Sequence, residues 1–387
     1  MPKYRLVTPG PVAVPERVRE AMGRTLLHHR APDFLPVLEE VRANLKQVFQ
    51  TQRDVLLLTG TGTAAMEAAV ANVFSAGETV IVVRGGKFGE RWAEICDAFG
   101  VTAVCIDVEW GHAVDPGAVR DAFDSHPEAR ALLVQASETS TAVYHPIQEL
   151  AAIVREQADR LMVVDGISGV GVHDLPMDGW GIDVMVSGSQ KSWLLPPGLA
   201  FIALSERAER AVETSTSSRY YLDLRKELKS QPKNQTSWSS AVSLIIGLRE
   251  ALRMILDVGV QRVFRRHEQK ARMTRAAMQA LGLELFAPDS PAFSCTSVCV
   301  PDGLDGKALV KHLQTRYNVT VAGGQGHAAG KIFRVGHMGD VDEFDTLSAI
   351  AAIEMSLADL GYPVKIGEGS RAATQLLREF AQESDSE

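Results

Sequence analysis

The chain has 387 residues and a formal net charge of −8, with 40 Lys and Arg residues against 48 Asp and Glu residues. This length predicts two packed domains, and the acidic balance, without a local run of Lys or Arg, argues against a nucleic-acid-binding protein. The sequence also lacks a signal peptide and an apolar run long enough to cross a bilayer, so we expect a cytoplasmic protein that does not associate with membranes.

The N-terminal region is expected to begin with an arm. Pro9, Pro11 and Pro15 predict an extended arm over residues 1–20, because each proline disfavours helix in the residue before it. A helix should begin near Pro15, and apolar residues at three- and four-residue spacing predict another from Leu35 to Phe49.

From residue 54 onward, short apolar runs alternate with helical stretches. Seven runs read as buried strands: DVLLLTG, ETVIVVRG, TAVCIDV, ALLVQAS, RLMVVDG, DVMVSGS and LAFIALS. The predicted helices between them are Thr63 to Phe74, Glu90 to Phe99, Pro116 to Phe123 and Pro146 to Ala158. This alternation indicates an α/β fold with a mostly parallel seven-stranded sheet, in which ligands bind outside the carboxyl ends of the strands.

The pattern changes after about residue 255. A long helix from Val260 to Leu281 is followed by a region of strands and helices up to Tyr362. We therefore predict a large domain over residues 21–255 and a smaller α+β domain over residues 256–387.

The segment TGTGTAAMEAAV, residues 59–70, follows the first strand and opens a helix. Gly60 and Gly62 allow the backbone to approach an anion, and the helix N-terminus offers unpaired N–H groups beside the Thr61 and Thr63 hydroxyls. The spacing matches neither a Walker loop nor the full dinucleotide fingerprint. Taken alone, the motif is equally compatible with a phosphate cradle and with a simple helix N-cap in a tight turn.

Two charged residues follow buried strands at the same predicted edge of the sheet. Asp165 ends the strand RLMVVD, where an acid faces the ligand crevice but is also common as a turn or N-cap residue. Lys191 follows the strand DVMVS and a small-residue turn. It is either a lysine that extends to solvent or a buried amine whose lowered pKa makes it a nucleophile.

Together, the three elements are more specific than any one of them. A phosphate cradle, a carboxylate and an amine at one sheet edge are the groups that pyridoxal 5′-phosphate (PLP) requires. The carboxylate would keep the pyridine nitrogen protonated, and Lys191 would hold the aldehyde as a Schiff base. The sequence therefore predicts a PLP enzyme.

Five segments resemble the class V PLP-dependent aminotransferases, in particular the alanine–glyoxylate and serine–glyoxylate aminotransferases: TGTGTAAMEAA, ETSTAVYHPI, VVDGISG, GIDVMVSGSQK and FRVGHMGD. The resemblance extends from residue 8 to about residue 364. It implies PLP fold type I and a homodimer with active sites at the subunit interface.

The resemblance also implies residue roles. Lys191 would carry the cofactor, Asp165 would pair with the pyridinium nitrogen, and Arg334 would bind the substrate carboxylate in a bidentate manner. The implied cofactor contacts are a phosphate cradle, two polar residues near the phenolic oxygen or phosphate, a ring stacked on the pyridine, and two phosphate contacts from the second subunit. Thr61, Gly62 and Thr63 would form the cradle, and Ser140 and Gln190 would be the two polar residues. Phe88 would stack on the pyridine, and Thr236 and Ser239 would contact the phosphate from the second subunit.

Some implied roles have plainer alternatives. Phe88 could belong to the core, and Arg334 could form a structural ion pair. Thr63 stands where some relatives have histidine. The stretch TSWSSA, which contains Thr236 and Ser239, lacks the prolines of the TPYTPA-like pattern that many members show, so this loop could be less rigid.

Other residues receive no catalytic role. His337 is expected to be a local structural residue, and His28 and His29 are left unassigned. No spacing of His, Asp, Glu or Cys indicates a metal site. The four cysteines have no CxxC spacing and are expected to be free thiols in a reducing compartment: Cys96, Cys105, Cys295 and Cys299.

The expected activity is a transamination. An amino group would move from a small amino acid (alanine or serine) to a small 2-oxo acid (glyoxylate or pyruvate) by a ping-pong mechanism, with Lys191 as general base. One alternative is another PLP reaction on the same fold, such as that of a cysteine desulfurase or lyase. That reaction needs a mobile thiol, whereas Cys295 and Cys299 lie in a predicted strand. The other alternative is a non-catalytic PLP-binding accessory subunit.

Overall fold

The computed structural model describes residues 3–384. Helices α1 to α14 are, in chain order, Glu16–Met22, Leu35–Phe49, Gly62–Val73, Lys87–Ala98, Pro116–Ser125, Ile147–Val154, Met177–Trp180, Glu206–Thr214, Leu224–Ser230, Val242–Val258, Val260–Ala280, Gly306–Tyr317, Glu343–Asp359 and Glu368–Ser384. Strands β1 to β14 are Arg5–Leu6, Val55–Gly60, Thr79–Arg84, Thr102–Asp107, Ala131–Gln135, Ser137–Glu138, Val143–Tyr144, Leu161–Asp165, Val184–Gly188, Gly198–Leu204, Cys295–Cys299, Val319–Thr320, Ala322–Gly323 and Ile332–Gly336.

The centre of the large α/β region is a seven-stranded sheet in the order β2-β10-β9-β8-β5-β3-β4. Strand β10 is antiparallel to both of its neighbours, and the other adjacent pairs are parallel. Each of the seven apolar runs in the sequence forms one of these strands. The prediction of an α/β fold with a mostly parallel seven-stranded sheet is confirmed.

Both faces of this sheet are covered, which explains why its strands are continuous apolar runs. In β3, Val80 and Val82 pack into the apolar layer that includes α3 and α4, whereas Ile81 and Val83 pack into the layer that includes α2 and α6. Successive side chains of a strand point to opposite faces, so a strand between two helical layers needs apolar residues at every position.

Two helix boundaries differ from the sequence-based predictions by three or more residues. Helix α4 begins at Lys87, three residues before the predicted Glu90, because buried side chains of another segment accept its first N–H groups. Helix α6 ends at Val154 rather than Ala158, since the polar residues that follow offer no apolar face to bury. None of the helices within residues 3–384 has the length and apolar character needed to span a bilayer.

A second apolar core lies in the C-terminal part of the chain. It contains residues of α11, α12, α13 and α14 and of the antiparallel sheet β11-β14-β13. The N-terminal arm joins this core, because β1 pairs in parallel with β12 and Val7 packs among its residues. The two cores are in keeping with two domains, and the boundaries after residues 20 and 255 stay a prediction.

We predict that Trp193→Ala strongly destabilises the chain. Trp193 is fully buried in the turn that follows β9, between Phe49 of α2 and Phe201 of β10, with ring centroids 5.6 and 4.9 Å away. Its indole N–H also donates to Ser187 Oγ at 2.8 Å. Removing the ring should lower the free energy of unfolding by about 3–5 kcal/mol in denaturant titrations.

The control is Phe344→Ala, because Phe344 is a large apolar side chain that is 70% exposed. It should change the free energy of unfolding by less than about 0.5 kcal/mol. Equal stabilities of the two variants would contradict the described packing of Trp193.

Candidate active site

Lys191 lies in the turn after β9, at the carboxyl edge of the sheet, and its side chain is buried. The ammonium donates to the carbonyl oxygen of Pro9 at 2.6 Å. Burial lowers the pKa of Lys191 to about 8; Cys295 has a smaller raising effect on this pKa, and the Arg334 charge lowers it further. The side chain therefore does not extend to solvent, and its amine is neutral in a large fraction of molecules at mildly alkaline pH, as a nucleophile requires.

The N-terminal arm covers this lysine. Gly10 has a φ of +129°, and a Cβ atom there would overlap Nζ, Cδ and Cε of Lys191. Only glycine fits this position. No role of the arm in the site was predicted from the sequence; the signal that could have suggested one is a glycine between two prolines.

Asp165 ends β8 one strand away, and its carboxyl group is buried. Its Oδ1 accepts a hydrogen bond from Ile167 N at 2.8 Å. Burial raises the pKa of Asp165 to about 7, and the nearby Lys191 charge acts in the opposite direction. The amine and the acid thus share one buried region, where a protonated ring nitrogen would compensate the cost of the buried carboxylate.

The predicted phosphate cradle is an uncapped helix N-terminus. Helix α3 begins at Gly62, and no side chain caps it. The N–H groups of Gly62 and Thr63 therefore have no acceptor within the helix. Thr63 Oγ1 accepts from Arg91 Nη1 at 3.2 Å, which places a guanidinium beside the cradle. Arg91 was not among the site residues predicted from the sequence. Free N–H groups, a positive helix end and a cation together suit an anion.

Gln190 lies next to this cradle. A Cβ atom on Gly188 would come within 3.0 Å of Gly62 Cα and 3.2 Å of Gln190 Oε1. Gln190 Oε1 is buried without a hydrogen-bond partner in the described chain. Buried polar atoms are normally satisfied, so this oxygen favours a ligand that supplies a donor. The uncapped cradle, the buried acid and amine, and this unsatisfied oxygen fit PLP.

Phe88 lies in the first turn of α4, and Ser140 contacts the same turn. Ser140 Oγ accepts from Lys87 N at 3.0 Å and donates to Glu138 Oε1 at 2.5 Å. Phe88 is half-buried, with the Arg91 guanidinium 4.9 Å from its ring centroid, and is not part of the apolar cores. Glu138 accepts hydrogen bonds from both residues and was not among the site residues predicted from the sequence.

Arg334 is buried in β14, in the C-terminal part of the chain. Its Nη1 donates to Thr139 O at 2.8 Å, and Nε and Nη2 donate to Gly323 O at 3.1 and 2.7 Å. Burial lowers the pKa of Arg334, and no carboxylate of residues 3–384 pairs with it. The structure thus lacks the structural ion pair that was the alternative. A buried guanidinium without a carboxylate partner suits a substrate carboxylate.

The three unassigned histidines lie outside this arrangement. His337 is fully buried and its Nε2 lies 2.9 Å from Thr296 Oγ1. Burial holds the pKa of His337 well below its usual value, which fits a neutral structural side chain. The rings of His28 and His29 contact each other, with centroids 4.5 Å apart. In the part of the chain that the structure describes, no hydrogen bond joins either ring to Lys191 or Asp165.

Thr236 and Ser239 lie in a separate loop, and none of their hydrogen bonds within residues 3–384 reaches Lys191 or Gln190. Thr236 Oγ1 donates to Trp238 O at 2.7 Å. The loop lacks the prolines, but hydrogen bonds with side chains outside the loop restrain it. Arg42 Nη2 donates to Gln235 O at 2.8 Å, and Arg42 Nη1 donates to Asn234 Oδ1 at 3.0 Å. Ser237 N donates to Glu227 Oε1 at 3.0 Å. The loop is therefore well restrained.

Comparison with known families identifies the chain. The family model described as aminotransferase class-V matches residues 16–340. The chain belongs to this family. It is a PLP-dependent aminotransferase, as predicted from the sequence. The roles of individual residues stay predictions.

Several relatives match this aminotransferase over nearly its whole length. It is 39% identical over 378 residues to the small subunit of a soluble hydrogenase from Synechococcus, covering 97% of this chain and 98% of that protein. It is 36% identical over 381 residues to the L-aspartate–glyoxylate aminotransferase of Paracoccus denitrificans, covering 96% and 95%. The crystal structure of ureidoglycine–glyoxylate aminotransferase from Bacillus subtilis matches with a TM-score of 0.93 at 28% identity, covering 98% and 99%.

We predict that Asp165→Asn stabilises the cofactor-free aminotransferase at alkaline pH. Burial raises the pKa of Asp165 from 3.8 to about 7. The stability from this carboxyl group is therefore fully present below about pH 4 and is lost as the pH rises through about 7. Asparagine carries no charge, so at about pH 8 the variant should exceed the wild type by roughly 2–4 kcal/mol in free energy of unfolding.

Asp183→Asn is the matched control. Asp183 is also buried, but it pairs with Arg207 and accepts from Met162 N at the opposite end of β9. This variant should lose stability at the same pH, because an ion pair is removed. A loss of stability in Asp165→Asn at about pH 8 would contradict the description of Asp165.

Proposed function

We propose that this aminotransferase transfers the amino group of alanine or serine to glyoxylate or pyruvate. The observation that carries the proposal is the burial of the Lys191 amine and the Asp165 carboxylate in one region at the carboxyl edge of the sheet. Glyoxylate is favoured as acceptor because the relatives at 36% and 28% identity are named as glyoxylate aminotransferases. Arg334 offers a carboxylate-binding group that both an amino acid and a 2-oxo acid would use.

When bound, PLP supplies an aldehyde that condenses with amines and a protonated ring that accepts electrons from the substrate α-carbon. Lys191 is the residue that carries the cofactor, and its amine then moves the proton at the α-carbon as a general base. Asp165 holds the proton on the ring nitrogen. The N–H groups of Gly62 and Thr63 bind the phosphate. Since amino acid and oxo acid use the same Lys191 and Arg334 in turn, ping-pong kinetics are expected.

We also propose a homodimer in which Thr236 and Ser239 contact the phosphate held by the other subunit. An exposed aromatic patch beside them supports an interface on this face: Tyr220 is 73% exposed, Tyr221 is 47% exposed, and both rings pack on Trp238. Residues 1–20 would form the arm, residues 21–255 the PLP-binding domain and residues 256–387 the small domain. The proposed location is the cytoplasm.

A second candidate is a non-catalytic accessory subunit, favoured by the relative named as a hydrogenase subunit at 39% identity. The buried amine, acid and guanidinium of Lys191, Asp165 and Arg334 favour catalysis instead. A cysteine desulfurase is less suited, because Cys295 is fully buried in β11 with Sγ 3.8 Å from Thr139 O. Absorbance changes of the purified holoenzyme with a panel of amino acids would indicate an aminotransferase, and sulfide release from cysteine would indicate a desulfurase. Bound PLP with neither response would indicate a non-catalytic subunit.

Lys191→Ala should abolish the absorption band of the lysine-bound cofactor and lower the transamination rate by at least about 1000-fold, because the attachment point and the general base are both lost. Spectra and steady-state rates with alanine or serine and glyoxylate measure both effects.

Lys270→Met is a matched control. Lys270 is also buried, its Nζ donates to Val341 O at 2.8 Å, and burial also lowers its pKa to about 8. This variant should keep the absorption band. Retention of the band and of turnover in Lys191→Ala would refute the assignment of Lys191.

Arg334→Lys should raise KM for both the amino acid and the oxo acid by about 10–100-fold, because a bidentate contact with the carboxylate is lost. The control is Arg219→Lys. The Arg219 side chain is buried as well and donates to Ala71 O and Val212 O, away from the site. Unchanged KM values for both substrates in Arg334→Lys would show that Arg334 has another role.

A further inference from the structure

Glu138 is a fully buried carboxylate that ends β6. Its Oε2 accepts from Phe88 N at 3.1 Å and from Gly89 N at 3.0 Å. Its Oε1 accepts from Ser140 N at 3.1 Å and from Ser140 Oγ at 2.5 Å. One carboxylate therefore joins the first turn of α4 to the segment that carries Ser140.

Helix α4 depends on these contacts for its N-terminus. The residue before it is Gly86, which has no side chain to cap the helix, and Lys87 N donates to Ser140 Oγ at 3.0 Å. Three successive N–H groups of the first turn are thus received by Glu138 and Ser140, satisfying donors that an uncapped helix leaves unpaired. A Cβ atom on Gly86 would overlap the Glu138 carboxyl group and the Ser140 hydroxyl, so the close approach requires glycine.

The contacts around Glu138 favour its ionised form. Burial raises its pKa, but all four hydrogen bonds come from donors, and the positive end of α4 faces the carboxylate. Among the described residues, no Lys or Arg side chain is paired with it. A charge on Glu138 adds to the rise in the pKa of Asp165 and partly offsets the lowering of the pKa of Arg334 by burial.

We propose that Glu138 is a positioning residue of the cofactor site, which holds the Phe88 ring and the Ser140 hydroxyl in their places through one carboxylate. The proposal rests on the proposed placement of PLP against these two residues. Stacking depends on the offset and tilt of the two rings, so a shift of the first turn of α4 weakens it. Arg91 lies on the same helix, so the same shift would also disturb its hydrogen bond with Thr63.

Glu138→Gln tests this role, because it keeps the size of the side chain but removes the charge. The amide NH₂ group of the new side chain would also face backbone N–H donors, with which it cannot form hydrogen bonds. Titration of the cofactor-free protein with PLP should give a Kd raised by about tenfold or more. At saturating PLP, the circular dichroism of the cofactor band should be weaker, since this signal reports the orientation of the ring. Glu138→Asp, which keeps the charge, should recover part of both signals.

Asp183→Asn serves again as the control, because it removes another buried carboxylate that accepts from a backbone N–H and from the Ser205 hydroxyl. It should lower stability while leaving the Kd for PLP within about twofold of the wild type. A Glu138→Gln variant with wild-type Kd and circular dichroism would overturn the proposal. If that variant does not fold, a Glu138→Asp variant with both wild-type values would also overturn it.

Wild-type protein and Lys191→Ala are measured alongside. Binding of PLP without an absorption band that depends on Lys191 would contradict the proposed function. Unchanged cofactor binding in the Glu138 variants, with a normal Lys191-dependent band in the wild type, would contradict only the positioning role.

Discussion

The active site depends on keeping an amine and a carboxyl group out of water at the carboxyl edge of one sheet. Burial acts in opposite directions on the two groups: it lowers the pKa of Lys191 to about 8 and raises that of Asp165 to about 7. Each pKa is thereby moved toward physiological pH, so a substantial minority of each group is neutral there. Placing them there costs stability, and the apolar layers on both faces of the sheet must offset that cost.

A lowered lysine pKa alone does not identify a catalytic residue in this chain. Lys270 is as deeply buried as Lys191 and its pKa is lowered to a similar value, about 8. What distinguishes Lys191 is its surroundings: an acid on the neighbouring strand, an uncapped helix end, and an unsatisfied amide oxygen on Gln190. The assignment of Lys191 therefore depends on its position in the fold and not on desolvation alone.

The parts of the structure that were predictable from sequence are those that local patterns encode. Apolar runs such as the one around Val80 and Val82 predicted the strands, and motifs placed Lys191 and Asp165 at the ends of theirs. Glu138 was not predictable, because its role depends on the first turn of α4, about fifty residues earlier in the chain. The contact of Pro9 with Lys191 is likewise tertiary and leaves no periodic signal.

The N-terminal arm ties together segments that are far apart in the chain. Arg5 pairs with Val319, and a few residues later the Pro9 carbonyl receives the Lys191 ammonium. During synthesis, the arm is made more than three hundred residues before its partner strand β12. Closing so long a loop is entropically costly. The arm can pair with β12 only after residues 319–320 have been made, whereas the last strand of the central sheet ends at Leu204. We therefore expect the contact between Pro9 and Lys191 to form late in folding.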